Sequence, residues 1–369
     1  MFLFTSLAAL LPSKPCAADG WIPKISHQMA YGVSKSFAPK SYQQAPDWAR
    51  VGQKPLFRFA WISDMHLDGT RTSMIAEAFA HIDEQIKPDF VLITGDNNAI
   101  PLADANKSKG LCRQAFLKAY LQKHLKTPYA IIPGDNWPQD FEKVFGPRQY
   151  SFDHGGVHFL LTSLDRGSGG KFEGLAVFDK KTWAWMEADL KKNRNKPVVF
   201  VLHEPVFPPT FLDAPRLWKL LKKYPNVVAC FHGHIHADME FPPQNENAPG
   251  PNSILCGALG PGRPPSMKEI LVFNDIFVIR TIEAKVTGQK ALFRYANKWQ
   301  RVDIPEPLRN CIATPVAVKL FSKNYSAAVA GPFVEDASLK SRLPELFKIV
   351  QDFLRAQQKV GGELSGNID

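Results

Sequence analysis

Cysteine is sparse and unpaired in this sequence. Of Cys16, Cys112, Cys230, Cys256 and Cys311, no two are spaced as C-x-x-C, which excludes a zinc knuckle or a thioredoxin-type redox site. Nowhere does the chain approach the ~20 consecutive apolar residues that a membrane span requires. It contains no internal repeat and no low-complexity segment. Nor does it carry a stripe of basic residues interleaved with aromatics. The formal charge of +10 falls largely in helix-like, solvent-facing stretches such as DLKKNRNKP and WKLLKKYP, a pattern that argues against a nucleic-acid partner and for attraction of a small anionic one.

What is present is a globular chain. Its 369 residues, 45% hydrophobic, suffice for one large domain with appendages or for two domains. The start, MFLFTSLAALLPSKPCAADG, has an apolar run followed by small residues at Cys16, Ala17 and Ala18, the shape of a secretory signal over residues 1–18, although no Lys or Arg precedes the run. This predicts an exported protein, periplasmic or secreted. Export would permit a disulfide, but Cys230 and Cys256 lie in apolar runs and read as buried thiols.

Residues 19–54 lack sustained periodicity and read as an extended lead-in. Beyond them come short apolar runs, LFRFAWIS, DFVLIT, YAIIP, HFLLTSL, PVVFVL and NVVACF, whose length and β-branched or aromatic content predict buried strands. Helical patterns over 71–86, 113–125, 181–191 and 213–223 alternate with them, which predicts an α/β layered architecture. After residue 268 the texture becomes that of antiparallel strands, with turns at Asn274-Asp275 and Gly288, suited to completing a second sheet. These segments make a domain over 55–304, followed by an extension over 305–369 with a helix at 338–357.

Chemistry concentrates just beyond the strand ends. The first run ends in Asp64 and His66, the second in Asp96, the third in Asp135 and Asn136, the fifth in His203 and the sixth in His234 and His236. In open α/β sheets ligand sites form outside the carboxyl ends of strands, so five strand ends point to one crevice. Residues two apart share a side of extended backbone, which lets each Asp-x-His or His-x-His pair face one site. Imidazole with carboxylate is the ligand set of zinc, iron or manganese rather than of calcium. Seven such groups are too many for one ion, so two are expected.

The series Asp64-x-His66, Gly95-Asp96, Gly134-Asp135-Asn136, His203 and Gly233-His234-x-His236, with the hairpin YSFDHGGVHFLLTSLD and the helix FDKKTWAWMEADL, resembles the calcineurin-like metallophosphoesterase superfamily across residues 56–285. The resemblance implies a layered α/β sandwich of two mainly mixed sheets flanked by helices. It also implies a dinuclear centre of two divalent or mixed-valence transition metal ions, Mn, Fe or Zn. Asp64, His66 and His236 would hold one metal and His203 and His234 the other, with Asp96 bridging. A metal-bound hydroxide would attack the phosphorus of a small anionic phosphoester. The superfamily's third motif reads Gly-Asn-His, with the Asn on the second metal and the His protonating the leaving group. Here Asp135 falls at the Asn position, as a third carboxylate ligand that would weaken the metals as Lewis acids, and Asn136 replaces the acid. A one-residue shift of the loop would instead make Asn136 the ligand. Asn136, with an amide suited to a phosphoryl oxygen, and His203 are the candidate catalytic residues.

The first motif resembles the nucleotide phosphodiesterase branch, and GDNNAI lacks the tyrosine of purple acid phosphatases, which favours diesters over monoesters. The alternative is a catalytically impaired metal-binding module of the same fold. Arg71, Arg263 and Asn97 are further candidates to face phosphate, and Trp137 and Phe207 to flank an organic group. His154 and His158 read as structural.

Overall fold

The computed structural model describes residues 37–99, 109–136, 138–164, 178–207, 210, 211, 213–241, 250–262, 264–288 and 290–315. The expected signal segment, the expected C-terminal helix, Trp137 and Arg263 lie outside the described residues.

Four layers build the domain: helices, a seven-stranded sheet, a six-stranded sheet and helices. The first sheet runs β1-β13-β12-β11-β2-β3-β4. It uses β1 (Lys40–Ser41), β2 (Phe57–Ile62), β3 (Phe90–Ile93), β4 (Tyr129–Ile131), β11 (Ser266–Val272), β12 (Ile276–Thr287) and β13 (Lys290–Asp303). The second runs β5-β6-β7-β8-β10-β9, from β5 (Tyr150–His154), β6 (Val157–Leu161), β7 (Val198–Val201), β8 (Val227–His232), β9 (Met239–Phe241) and β10 (Asn252–Leu255). β2, β3 and β4 are parallel, as are β6, β7, β8 and β10; the remaining pairs are antiparallel, so both sheets are mixed.

The continuous apolar runs follow from burial on both faces. Along β2, Phe57, Phe59 and Trp61 enter the core between the sheets, while Ala60 and Ile62 face helices, the period of two expected of a strand. Phe59 stacks on its cross-strand neighbour Phe90 at 4.8 Å within the first sheet, and Trp61 stacks on Phe231 of the second sheet at 4.3 Å, which joins the two sheets through aromatic rings. On the outer side of the first sheet pack α1 (Thr72–His81, prolonged by a π turn to Ile86), α2 (Lys109–His124) and α3 (Phe141–Phe145). On the outer side of the second pack α4 (Lys180–Lys192) and α5 (Ala214–Lys222).

One detail differs from the sequence expectation. The antiparallel strands after residue 268 do not complete the second sheet; β11 pairs with β2 and extends the first. The second sheet instead begins at the β5–β6 hairpin, because the chain leaves the first sheet after β4. In the lead-in, β1 pairs with β13, and Trp48 and Ala49 pack on the outer face of the first sheet. At the other end Leu308 and Ile312 join the inter-sheet core. Cys230 and Cys256 are buried and free, as is the half-buried Cys311. No described helix is long and apolar enough to cross a membrane.

Candidate metal centre

The loops leaving β2, β3, β4, β7 and β8 meet where the carboxyl edges of the two sheets come together. Backbone hydrogen bonds lace them: Asp64 N–H donates to the Gly95 carbonyl at 3.0 Å, His66 to Asp96 at 2.9 Å, Asp96 to Pro133 at 3.2 Å and Gly233 to His203 at 3.0 Å. Two glycines permit this closeness. A Cβ on Gly95 would lie 2.6 Å from His203 Nδ1, and one on Gly134 only 2.2 Å from Asp96 N. Both have positive φ, at 106° and 77°, where a side chain is costly.

The structure brings the seven candidate ligands together as two clusters. Asp64, His66, Asp96 and His236 form one, and Asp135, His203 and His234 the other; within each, the ligand atoms lie within 4.8 Å of one another. The pairs do not converge by strand alternation, as the spacing suggested. Asp64, His66, Asp96, His234 and His236 all adopt left-handed backbone, with φ between 39° and 69°, in turns beyond the strand ends. Such conformations are rare outside glycine and gather at functional sites.

Asp96 faces both clusters. Its Oδ2 is 3.5 Å from His66 Nε2 and its Oδ1 3.3 Å from His203 Nε2. The backbone N–H groups of Asp135 and Asn136 donate to Oδ1 at 2.9 and 2.8 Å, and the Asn136 amide donates to Oδ2. The Asp135 carboxylate points into its own cluster, 3.3 Å from His203 Nε2 and 3.4 Å from His234 Nδ1. In this register the carboxylate of Asp135 joins the cluster, and the amide of Asn136 lies against Asp96.

The donor chemistry fits two cations. His203 is fully buried; its Nδ1–H donates to the Thr94 carbonyl at 2.7 Å, which leaves Nε2 with a lone pair, as a metal ligand needs. That buried Nε2 makes no hydrogen bond. The Nε2 atoms of His66 and His236 lie 3.0 Å apart, and both are close to Asp64 Oδ1, at 3.8 and 3.1 Å. Asp64, also fully buried, accepts from Ser63 Oγ at 2.6 Å and His234 N at 3.0 Å. His66, His234 and His236 are partly exposed, His234 by 32%, so the clusters open to solvent.

Without cations, protons fill the electrostatic role. Burial pushes the Asp64 carboxyl up, but the His203 charge and hydrogen bonds from His236 and His66 outweigh it and hold Asp64 well below the usual carboxylate range. Asp135 is likewise held low against burial by His203 and His234. Burial pulls His203 down, but Asp96 and Asp64 raise it well above its ordinary value, and His66 and His234 are also raised by their carboxylate neighbours. Cations and protons must therefore compete for the site.

Other candidates lie elsewhere. Asn97 is buried and donates to the Ile132 carbonyl at 2.8 Å, so it braces the loop instead of facing phosphate. Arg71 pairs with Asp68 and donates to the His66 carbonyl at 3.1 Å. Phe207 packs against Trp218 and Phe241. His154 lies edge-on to Phe57 and Phe90, its pKa pushed down by burial to about 4, and His158 sits between Asp153 and Asp189. Sequence reasoning missed Ser63 and Thr94, which orient Asp64 and His203. Their only signal was adjacency to a ligand or a strand end.

Comparison with known proteins bears on the family and the fold. The calcineurin-like phosphoesterase family profile matches residues 57–238. A dimetal phosphatase from Danio rerio is similar in structure, with a TM-score of 0.52, 12% identity, and coverage of 68% of this chain and 100% of that one. GAP50, the anchor in the inner membrane complex of Plasmodium, aligns at a TM-score of 0.48 and 15% identity over 74% and 94% of the two chains. Vps29 from Entamoeba histolytica in complex with zinc aligns at 0.32 and 14% over 67% and 98%. No curated protein matches the chain. With two mixed sheets in a layered α/β fold, clustered aspartates and histidines at their carboxyl edges and a profile match from β2 to Asp238, residues 57–238 match the calcineurin-like phosphoesterase family.

Proposed function

We propose that the protein hydrolyses phosphoesters, with diesters favoured over monoesters, at a dinuclear metal centre. Asp64, His66 and His236 would hold one cation, Asp135, His203 and His234 the other, and Asp96 would bridge. The observation that supports this best is the convergence of seven ligand-competent side chains from both sheets in two adjacent clusters. When bound, two such cations, drawn from Mn, Fe or Zn, supply Lewis acidity to phosphoryl oxygens and lower the pKa of a nearby water.

The remaining work belongs to the chain's own groups. Three N–H donors fix the Asp96 carboxylate. The Thr94 carbonyl fixes the His203 ring with Nε2 inward. Asp135 adds a negative charge where the family motif has a neutral amide, which favours cation retention over electrophilic strength. Asn136 has no proton to give a departing alkoxide, so esters with good leaving groups are the better substrates.

Hydrolysis of bis(p-nitrophenyl) phosphate and of p-nitrophenyl phosphate by protein loaded with manganese, iron or zinc tests this. Metal-dependent turnover is expected, faster on the diester, and lost in Asp96→Asn. If two ions bind and neither ester is turned over with any metal, the catalytically impaired binding module becomes the better account.

A further inference from the structure

We propose that Lys268 is a positioning residue for the centre. Its buried ion pair with Asp238 clamps the turn bearing His234 and His236 onto the first sheet, and so sets how tightly the centre holds its cations. The inference rests on the metal-centre reading above.

Lys268, on β11, is only 1% exposed. A charge at that depth is costly unless it is paired and hydrogen-bonded. Its ammonium contacts one oxygen of the Asp238 carboxylate and reaches Gln300 Oε1 at 2.6 Å and Thr281 Oγ1 at 3.5 Å. The Thr281 hydroxyl donates to the other Asp238 oxygen at 2.7 Å. Lys268 and Thr281 face each other directly across β11 and β12, where the pairing of β12 with β13 shifts register between Arg280 and Ile282, and Gln300 comes from β13. Two adjacent strands of the first sheet thus bond one carboxylate directly, and a third supports the ammonium that pairs with it.

That carboxylate belongs to the other sheet's connection. Asp238 lies between β8 and β9, two residues after His236, and Gln300 Nε2 donates to the adjoining Met239 carbonyl at 3.4 Å. At its front the same turn is tied by Gly233 N–H to the His203 carbonyl and by His234 N–H to Asp64. His234 and His236 hold left-handed φ of 69° and 60°, conformations that persist only where the surroundings impose them. A buried ion pair adds little stability that well-packed apolar residues could not match. What it supplies here is direction, a carboxylate fixed at both oxygens immediately behind two ligands.

Calorimetric titration of metal-free protein with manganese tests the clamp in wild type, Lys268→Met and the double variant Lys268→Met/Asp238→Asn. The single variant strands a buried carboxylate and should lose folding stability together with affinity. The double variant removes both charges and with them that penalty. Its metal-free melting temperature should lie near that of wild type, while manganese binds about 10-fold or more weakly, the usual range for groups that orient ligands, and raises the melting temperature less. A double variant with wild-type manganese affinity would overturn the clamp. If it fails to fold, Thr281→Val, which removes only the hydroxyl bond to Asp238, carries the test; unchanged affinity there overturns the clamp as well. Wild-type protein that takes up no manganese, iron or zinc would remove the metal-centre reading and the clamp with it.

Discussion

By the register that the resemblance implies, Asn136 would stand where the third motif carries a proton donor, and its amide is turned onto Asp96. General acid catalysis is worth about 10² to 10⁴ in rate, so its loss should appear as leaving-group sensitivity. Wild-type rates should fall steeply from nitrophenyl to alkyl esters, and Asn136→His should recover about 10² on alkyl esters while leaving nitrophenyl esters little changed. A flat leaving-group dependence in wild type would show that another group supplies the proton. At this scale the groups that cluster were legible, because aspartate and histidine after strand ends are a chemical signature. The backbone that aims them was not, since left-handed φ at Asp64 or His236 is imposed by loop packing between distant segments. Lys268 and Asp238, 30 residues apart, left no sequence signal at all.

Among the elements, the β5–β6 hairpin is bound to α4 through His158, whose Nδ1 and Nε2 each lie 2.6 Å from a carboxylate oxygen, of Asp153 and Asp189. Burial lowers the His158 pKa, but these two bonds outweigh it and raise the value above the ordinary 6.5. The native state therefore binds this proton more tightly than the unfolded chain. That stability is full below about pH 6.5 and is lost as pH rises through the raised native value. Burial raises Asp153, but His158 and Lys196 hold it down at about 2; its share is present above the ordinary carboxylate range and is lost as pH falls towards 2. His158→Gln should therefore lower the melting temperature most between about pH 4 and 6.5, with a shrinking gap above that window. A gap that widens above pH 7 would contradict the assignment. The long elements were legible because strands buried on both faces give unbroken apolar runs. The three residues of β9 and five of α3 are too short for any period to register.

On the scale of the whole molecule, the candidate ligands come from both sheets: Asp64, Asp96 and Asp135 follow strands of the first, His203, His234 and His236 strands of the second. Bound cations would staple the layers together at one edge. An ion at 100 times its dissociation constant adds about 2.7 kcal/mol, and 1 kcal/mol moves the melting of a domain this size by about 2–4 °C. Chelation should then lower the melting temperature by on the order of 5–10 °C per site. Coincident melts with and without chelator would contradict a stapling role. The excess of 45 basic over 35 acidic residues suits an anionic substrate and is independent of this effect.

Titration of metal-free protein with manganese while following hydrolysis of bis(p-nitrophenyl) phosphate tests the dinuclear enzyme most directly. Activity should rise with the second equivalent and level off at two per chain, with no activity at any loading in Asp96→Asn. A plateau at one equivalent, or no turnover with two ions bound, would contradict it.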